Sequence, residues 1–393
     1  MNSQKVMERD SQYVLPTYKR NQVVLESGKG VMALDADGKE YMDFGTGIGV
    51  TCLGYCDPDW VAAIAAQAGK LQHTSNLYYT EPCTQVAEIL CKQTGLSKVF
   101  FGNSGAEANE GAIKCARKYS FDKYGAGRET VISLVNSFHG RTIATLTATG
   151  QDVFHQFFGP FPDNFMYVPA NDIEALRAAM DGTVCAVMLE MVQGEGGVMP
   201  LEKDYVQAVA ALCAEKDVMV IVDEVQTGIG RTGTLFAFQQ FGIQPDIVSM
   251  AKGLGGGLPI GGVMMNEKVA AAMGAGTHGS TFGGNPVVCA GALVVLDKLL
   301  NSGLLENVNA RAAQLREGLA KLPHVKGVSG LGLMIGIEFE EGIAAGSVLA
   351  AAQQKGLLCL TAKTRLRLLP PLVITEQDVE KALAILNEVL SAM

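Results

Sequence analysis

Residues 218–233 read VMVIVDEVQTGIGRTG, and residues 246–262 read DIVSMAKGLGGGLPIGG. Each segment opens on an apolar run of strand length, and each run ends in a single charged residue, Asp223 in the first and Lys252 in the second. In an open α/β sheet ligands bind outside the carboxyl ends of the strands, so the two side chains are delivered to face one small molecule. Taken singly they have plainer uses: Asp223 as a helix cap or the partner of a surface arginine, Lys252 as a solvated lysine before a glycine turn. The neighbours of Lys252 argue otherwise. Ile247, Val248, Ser249, Met250 and Ala251 precede it, and Gly253, Gly255, Gly256 and Gly257 follow, which predicts a desolvated amine and backbone close to a bound group.

Outward from this stretch, strand-length apolar runs alternate with helical patterns. KVFFGN is followed by AEANEGAIKCARKYSF, then come TVISLV, VCAVMLE, YVQAVAALCAEKD, VMVIVD and DIVSMA. Such alternation predicts an α/β fold with a largely parallel sheet covered by helices on both faces. Asn285-Pro286 ends the region. Beyond it, the amphipathic stretches VVCAGALVVLDKLL and NARAAQLREGLAKL and the strand-like LMIGIEFE and LRLLPP predict a smaller α+β unit that the first sixty or so residues complete. The expected organisation is an N-terminal part of the small domain over 1–58, a large ligand-binding domain over 59–285 and a C-terminal small domain over 286–393.

Composition limits the partners. A formal net charge of -9 disfavours nucleic acid and anionic membrane surfaces, both of which reward basic patches, and leaves small anions to a few local arginines. The nine cysteines form no CxxC pair and stand at no zinc-ligand spacing, so neither a metal site nor a disulfide framework is expected, and a reducing cytoplasm fits. The opening MNSQKVMERDSQYVLPTY carries mixed charge and no apolar centre, and VMVIVD and ALVVLDKLL are too short to cross a bilayer. No membrane partner is expected.

The Asp223–Lys252 pair suits pyridoxal phosphate, whose aldehyde a lysine amine can hold as a Schiff base and whose ring nitrogen an aspartate can keep protonated. A phosphate site is legible too: the strand KVFFGN leads through Ser104-Gly105-Ala106 into a helix, where free backbone N–H groups meet an anion. An ordinary N-cap serine is the simpler reading of Ser104 alone. DEVQTGxGRTG and AKGLGGGxPIG resemble the corresponding segments of the class III (subgroup II) pyridoxal-phosphate aminotransferases, most closely their acetylornithine branch. The likeness continues in DFGTGIGVTCLG near Asp43, LYYTEP near Leu77, FFGNSGAEANEGAIKCARKY near Phe101, SFHGRT near Ser137, VQGEGG near Val192, THGSTFGGNP near Thr277 and RLLPPL near Arg367. So many short motifs in one order span nearly the full length.

The resemblance implies a fold type I architecture with a mostly parallel seven-stranded sheet. It implies that Ser104, Gly105 and Ala106 hold the cofactor phosphate, that Phe138 stacks on one face of the ring and Val225 covers the other, and that Gln226 approaches the ring hydroxyl. Thr281 matches a threonine that reaches the phosphate of a partner subunit, which implies a homodimer with shared active sites, and the adjoining Ser280 falls to the substrate side. Lys252 carries the proton transfers, with His139 beside the site and not the base. Arg141 matches a carboxylate anchor, for which a planar guanidinium fork is suited. Arg367 matches a second anchor, for the α-carboxylate of glutamate, and Glu195 matches the acid that neutralises it when the other substrate is present; a permanent Glu195–Arg367 salt bridge is the structural alternative.

The implied reaction moves the terminal amine of N-acetylornithine to 2-oxoglutarate, a step of arginine biosynthesis. Ile48 in GTGIGV resembles the acetylornithine and 4-aminobutyrate branches, and Tyr18 in LPTYKR either lines the entrance or packs under the small domain. The chain departs from the family pattern at Tyr55-Cys56-Asp57-Pro58, where two histidines are common, at Ala106, where threonine is frequent, and at Met191, which replaces a proline. These departures leave the acyl preference open between acetyl, succinyl or none, with ornithine and 4-aminobutyrate as alternative donors. Two further readings are a nucleotide-binding module, which the absence of a GxxxxGK[ST] order disfavours, and a non-catalytic relative, which intact Lys252, Asp223 and Arg141 disfavour.

Overall fold

The computed structural model describes residues 3–393. Its central sheet takes seven strands in the spatial order Lys98–Gly102, Gly261–Met265, Ile247–Met250, Met219–Asp223, Val184–Leu189, Thr130–Leu134 and Phe165–Val168. All pairings from Ile247–Met250 to Phe165–Val168 are parallel. Gly261–Met265 runs antiparallel to both its neighbours, and two reversals leave Lys98–Gly102 pointing with the other five. Val184–Leu189 and Met219–Asp223 are buried at every position. That is why they read as unbroken apolar runs and not as alternating ones.

The helix Gly105–Tyr124 packs across Gly261–Met265, Ile247–Met250 and Val184–Leu189. Its inward residues Ala108, Ala112, Ile113, Cys115 and Ala116 are small or apolar, which lets the helix sit close to the sheet. The short strands Phe165–Val168 and Gly261–Met265 are additions that local pattern did not announce; GGVMM carries two glycines that β-propensity disfavours, and its pairing between two strands decides its state.

The smaller α+β part joins both ends of the chain, as expected. Leu25–Lys29, Met32–Asp35 and Glu40–Asp43 form an antiparallel meander, and Leu357–Leu358 adds to it in parallel beside Glu40–Asp43. A second, antiparallel sheet orders Val325–Leu331, Met334–Phe339, Arg365–Leu368 and Leu360–Ala362. Helices Leu304–Leu319, Ala345–Gln354 and Glu376–Ser391 accompany these sheets, the last begun by a capping box between Thr375 and Asp378.

Asn285-Pro286 starts the long helix Pro286–Asn301: the Asn285 side chain accepts from the Val288 amide at 3.1 Å. This helix packs on Pro58–Lys70, on Glu81–Thr94 and on the Lys252–Gly255 turn. The glycines after Lys252 are a correction to the expectation that they admit a ligand. A Cβ at Gly256 would stand 2.8 Å from the Trp60 indole nitrogen and one at Gly255 would stand 2.9 Å from Ile260. Trp60 donates to the Gly255 carbonyl at 3.1 Å. Close packing of the single tryptophan requires Gly256 and that of Ile260 requires Gly255, and of these glycines Gly257 alone faces the cavity described below. Among the described residues no single helix is long and apolar enough to cross a membrane.

Candidate active site

A cavity of about 450 Å³ opens at the carboxyl ends of the central strands. Asp223 and Lys252 reach it from neighbouring strands, as the pairing of Asp223 with Ser249 requires. Lys252 begins a 3-10 turn with φ of 43°, a left-handed backbone rarely taken by a side-chain-bearing residue. Burial lowers its pKa, more than the Glu195, Asp223 and Glu190 carboxylates raise it. The amine is thereby biased toward its neutral, nucleophilic form.

Asp223 is 3% exposed and fully engaged. One carboxylate oxygen accepts from Asn109 Nδ2 at 2.7 Å and lies 2.8 Å from His139 Nδ1, and the other accepts from the Val225 amide at 3.0 Å. Burial works against a charged His139, but Asp223 first and Glu190 second overcome it and the imidazole pKa is raised. His139 Nε2 is buried with no hydrogen-bond partner. With Nδ1 as the donor, the ring neutralises Asp223 from behind, which agrees with an orienting and not a base role.

Ser104 caps the helix Gly105–Tyr124, its hydroxyl accepting from the Glu107 amide at 3.1 Å. The simpler reading of this serine therefore holds, and it is compatible with the other: the amides of Gly105 and Ala106 fall in the first turn, which has no intrahelical acceptors. A Cβ on Gly105 would stand 2.6 Å from Val225 Cγ1. One on Gly261 would meet the Ser104 carbonyl at 2.1 Å, so the turn lies directly against the antiparallel strand. Ser104, Gly105, Ala106, Phe138, Val225, Gln226 and Arg141 all line the cavity with Asp223 and Lys252. Helix-start amides for an anion, an aromatic ring and a valine, a buried acid and a half-buried lysine amine make a donor set that fits pyridoxal phosphate.

Arg141 is exposed, with its guanidinium 4.2 Å from the Phe154 ring centre and 5.5 Å from that of Phe138. Arg367, in contrast, is 3% exposed. Its Nη1 donates to Glu195 at 2.5 Å and to Gln226 at 3.2 Å, while its Nε is buried without a partner. Burial would raise the Glu195 pKa, yet Arg367 outweighs it and the carboxyl stays below its usual range.

Six expected residues do not line the cavity of the single chain: Glu195 and Arg367, which sit behind the lining residue Gln226, and Tyr18, Ile48, Ser280 and Thr281. Tyr18 is 76% exposed and lines a surface hollow together with residues of the N-terminal helix Ser3–Tyr13. Ile48 and Thr281 are exposed. Ser280 accepts from the Gly283 amide of its own loop at 3.0 Å and from Nδ2 of the cavity residue Asn103 at 3.2 Å.

Sequence reasoning missed Glu190, Asn109 and Phe154. Glu190 accepts from the amides of Phe138 at 3.0 Å and Gly194 at 3.3 Å, tying the loop of the aromatic to the loop of Glu195. Burial pushes its pKa up to about 7. Its signal was the one that marked Asp223, an acid closing an apolar run, here VCAVMLE. Asn109 and Phe154 carry no local mark.

The family model for class-III aminotransferases matches residues 14–390. The acetylornithine aminotransferase of Haemophilus ducreyi is 54% identical over the whole of both chains. That of Caldanaerobacter subterraneus is 47% identical over 97% of this chain and 98% of the relative. Among solved structures, ornithine aminotransferase from Toxoplasma gondii superposes with a TM-score of 0.95 at 33% identity, covering 100% of this chain and 96% of its own. N-acetylornithine aminotransferase from Stenotrophomonas maltophilia does so with a TM-score of 0.86 at 39% identity, covering 98% of each. The chain belongs to the class-III aminotransferases.

Proposed function

We propose that this aminotransferase moves the terminal amine of N-acetylornithine to 2-oxoglutarate, yielding N-acetylglutamate semialdehyde and glutamate. The observation that carries the reading is the convergence of Lys252, Asp223 and an open Arg141 on one cavity, with Arg367, closed by Glu195, hydrogen-bonded to the lining residue Gln226. Pyridoxal phosphate, the cofactor of the class, supplies an aldehyde for the amino group and a ring that accepts electrons. Ser104, Gly105 and Ala106 would hold its phosphate, Phe138 and Val225 its ring, and Gln226 its hydroxyl.

Lys252 Nζ, whose pKa burial lowers, takes a proton from the amine-bearing carbon of the donor and gives it back on the other side of the transfer. Asp223, oriented by Asn109, His139 and the Val225 amide, would hold the ring nitrogen. Arg141 takes the single carboxylate of the amino donor. For the dicarboxylate, Glu195 turns aside and Arg367 takes the second carboxylate. Lys252→Ala is expected to lose turnover by at least about 10³-fold, the scale of removing an activated base and nucleophile; transamination persisting near the parent rate would refute the assignment.

The close superposition on an ornithine aminotransferase favours a second reading, free ornithine as donor. Relative kcat/KM for N-acetylornithine and ornithine separates the two, and a preference for ornithine overturns the first. We also propose a homodimer. Thr281 is exposed and away from its own cavity, and Leu77, Tyr79 and Phe282 are 82%, 101% and 59% exposed, which supports a surface that a second copy covers and a Thr281 that serves the second copy's phosphate.

A further inference from the structure

Arg141 is held in an unusual way. Among the described residues no hydrogen bond or ion pair engages its guanidinium, and the groups placed over and beside it are aromatic. Its Cζ stands 4.2 Å from the centre of the Phe154 ring, and Phe154 meets Phe138 edge-on at 5.7 Å with an interplanar angle of 76°. Phe154 closes the 3-10 turn Asp152–Phe154. That turn is fastened to the loop of Phe138 and Arg141. The Asn136 amide donates to the Gly150 carbonyl at 2.7 Å, the Gly150 amide to Ser137 Oγ at 3.0 Å, and Gln151 Nε2 to the Ser137 carbonyl at 3.0 Å.

An aromatic face holds a guanidinium through its plane and leaves the N–H edge unoccupied. A carboxylate partner would do the reverse, as Glu195 does at Arg367. We propose that Phe154 is a positioning residue for the substrate carboxylate, fixing Arg141 beside Phe138 with its donors free in both halves of the reaction. The inference rests on the reading of Arg141 as the anchor. It assigns the two arginines complementary supports: Arg367 is closed by an acid that must leave, and Arg141 is kept open by a ring that never competes.

The test compares Phe154→Met and Phe154→Leu, which remove the face and keep apolar bulk, with Phe154→Tyr, which keeps the face, and with Arg141→Gln. Binding of N-acetylnorvaline, which has the donor's carboxylate and lacks its reacting amine, is measured calorimetrically on the holoenzyme alongside steady-state kinetics. The non-aromatic variants are expected to bind about tenfold more weakly and to raise KM for both substrates together, with kcat within about threefold and the cofactor absorbance unchanged. Phe154→Tyr is expected to stay within about twofold of the parent, and Phe154→Met to add nothing in an Arg141→Gln background. If Arg141→Gln loses binding while both non-aromatic variants retain it, or if Phe154→Tyr is as weak as Phe154→Met, the role of Phe154 is overturned and the anchor stands. If Arg141→Gln binds as the parent does, the anchor reading itself falls.

Discussion

At the scale of the residue, the site works by controlling which charges are solvated. Lys252 is half-buried and strained at φ of 43°, a backbone state that persists when surroundings over-determine it. Arg367 is more secluded, and Glu195 supplies its ion-pair partner at 2.5 Å. Removing one member of a buried pair leaves an uncompensated charge that a ligand carboxylate then satisfies. Glu195→Gln is therefore expected to lower KM for 2-oxoglutarate by several-fold and to cut kcat/KM for the amino donor by about tenfold, as glutamate-like carboxylates hold Arg367. Steady-state kinetics with both substrates checks this, and an unaltered ratio of the two specificity constants would detach Glu195 from substrate choice. Asp223 and Lys252 were legible because each ends an apolar run, a local property. Glu195 and Arg367 needed the family likeness, since 172 residues separate them and no periodicity relates VQGEGG to RLRLLPP.

At the scale of the element, the turn after Met219–Asp223 buries a second acid. Glu224 is 0% exposed, accepts from Thr227 Oγ1 at 2.5 Å and from the Phe238 amide at 2.8 Å, and is pushed up to about 7 by burial. Between its ordinary value of 4.5 and about 7 the folded chain holds a proton that the unfolded chain has released, so stability falls as pH rises through that window. Glu190 acts in the same sense over the same window, and His139, whose raised pKa favours folding below 6.5, loses that contribution as pH climbs through its folded value. Glu224→Gln keeps an acceptor for Phe238 and a donor for Thr227 without the charge. Its unfolding free energy is expected to fall less steeply than the parent's from pH 5 to 8, by on the order of 2–3 kcal/mol. Thermal unfolding in a pH series decides, and parallel curves would mean that Glu224 does not titrate there. The glycines after Lys252 belong to this scale as well. Their sequence marked close approach correctly, but only the tertiary packing shows that Trp60 is what approaches Gly256 and Ile260 what approaches Gly255.

At the scale of the whole molecule, the exposed Leu77, Tyr78, Tyr79 and Phe282 form the surface on which the proposed dimer depends. A two-fold interface applies each substitution twice, so an introduced charge meets its own copy or an apolar partner. Tyr79→Glu is expected to shift sedimentation toward the monomer and to lower activity in step with dissociation, with far-ultraviolet circular dichroism unchanged. A variant that sediments as the parent does would move the interface elsewhere. By itself the sequence determined the alternation of buried strands and helices, and hence a parallel sheet whose strand ends carry Asp223 and Lys252, because hydrophobic periodicity and strand termini are encoded within a few residues of each site. Tertiary structure alone decided that Glu190 ties two loops, that Phe154 lies under Arg141 and that Asn109 and His139 share Asp223. Those contacts arise where crossover connections bring separate strand ends and loops together, and no local pattern of side chains specifies which of them will meet.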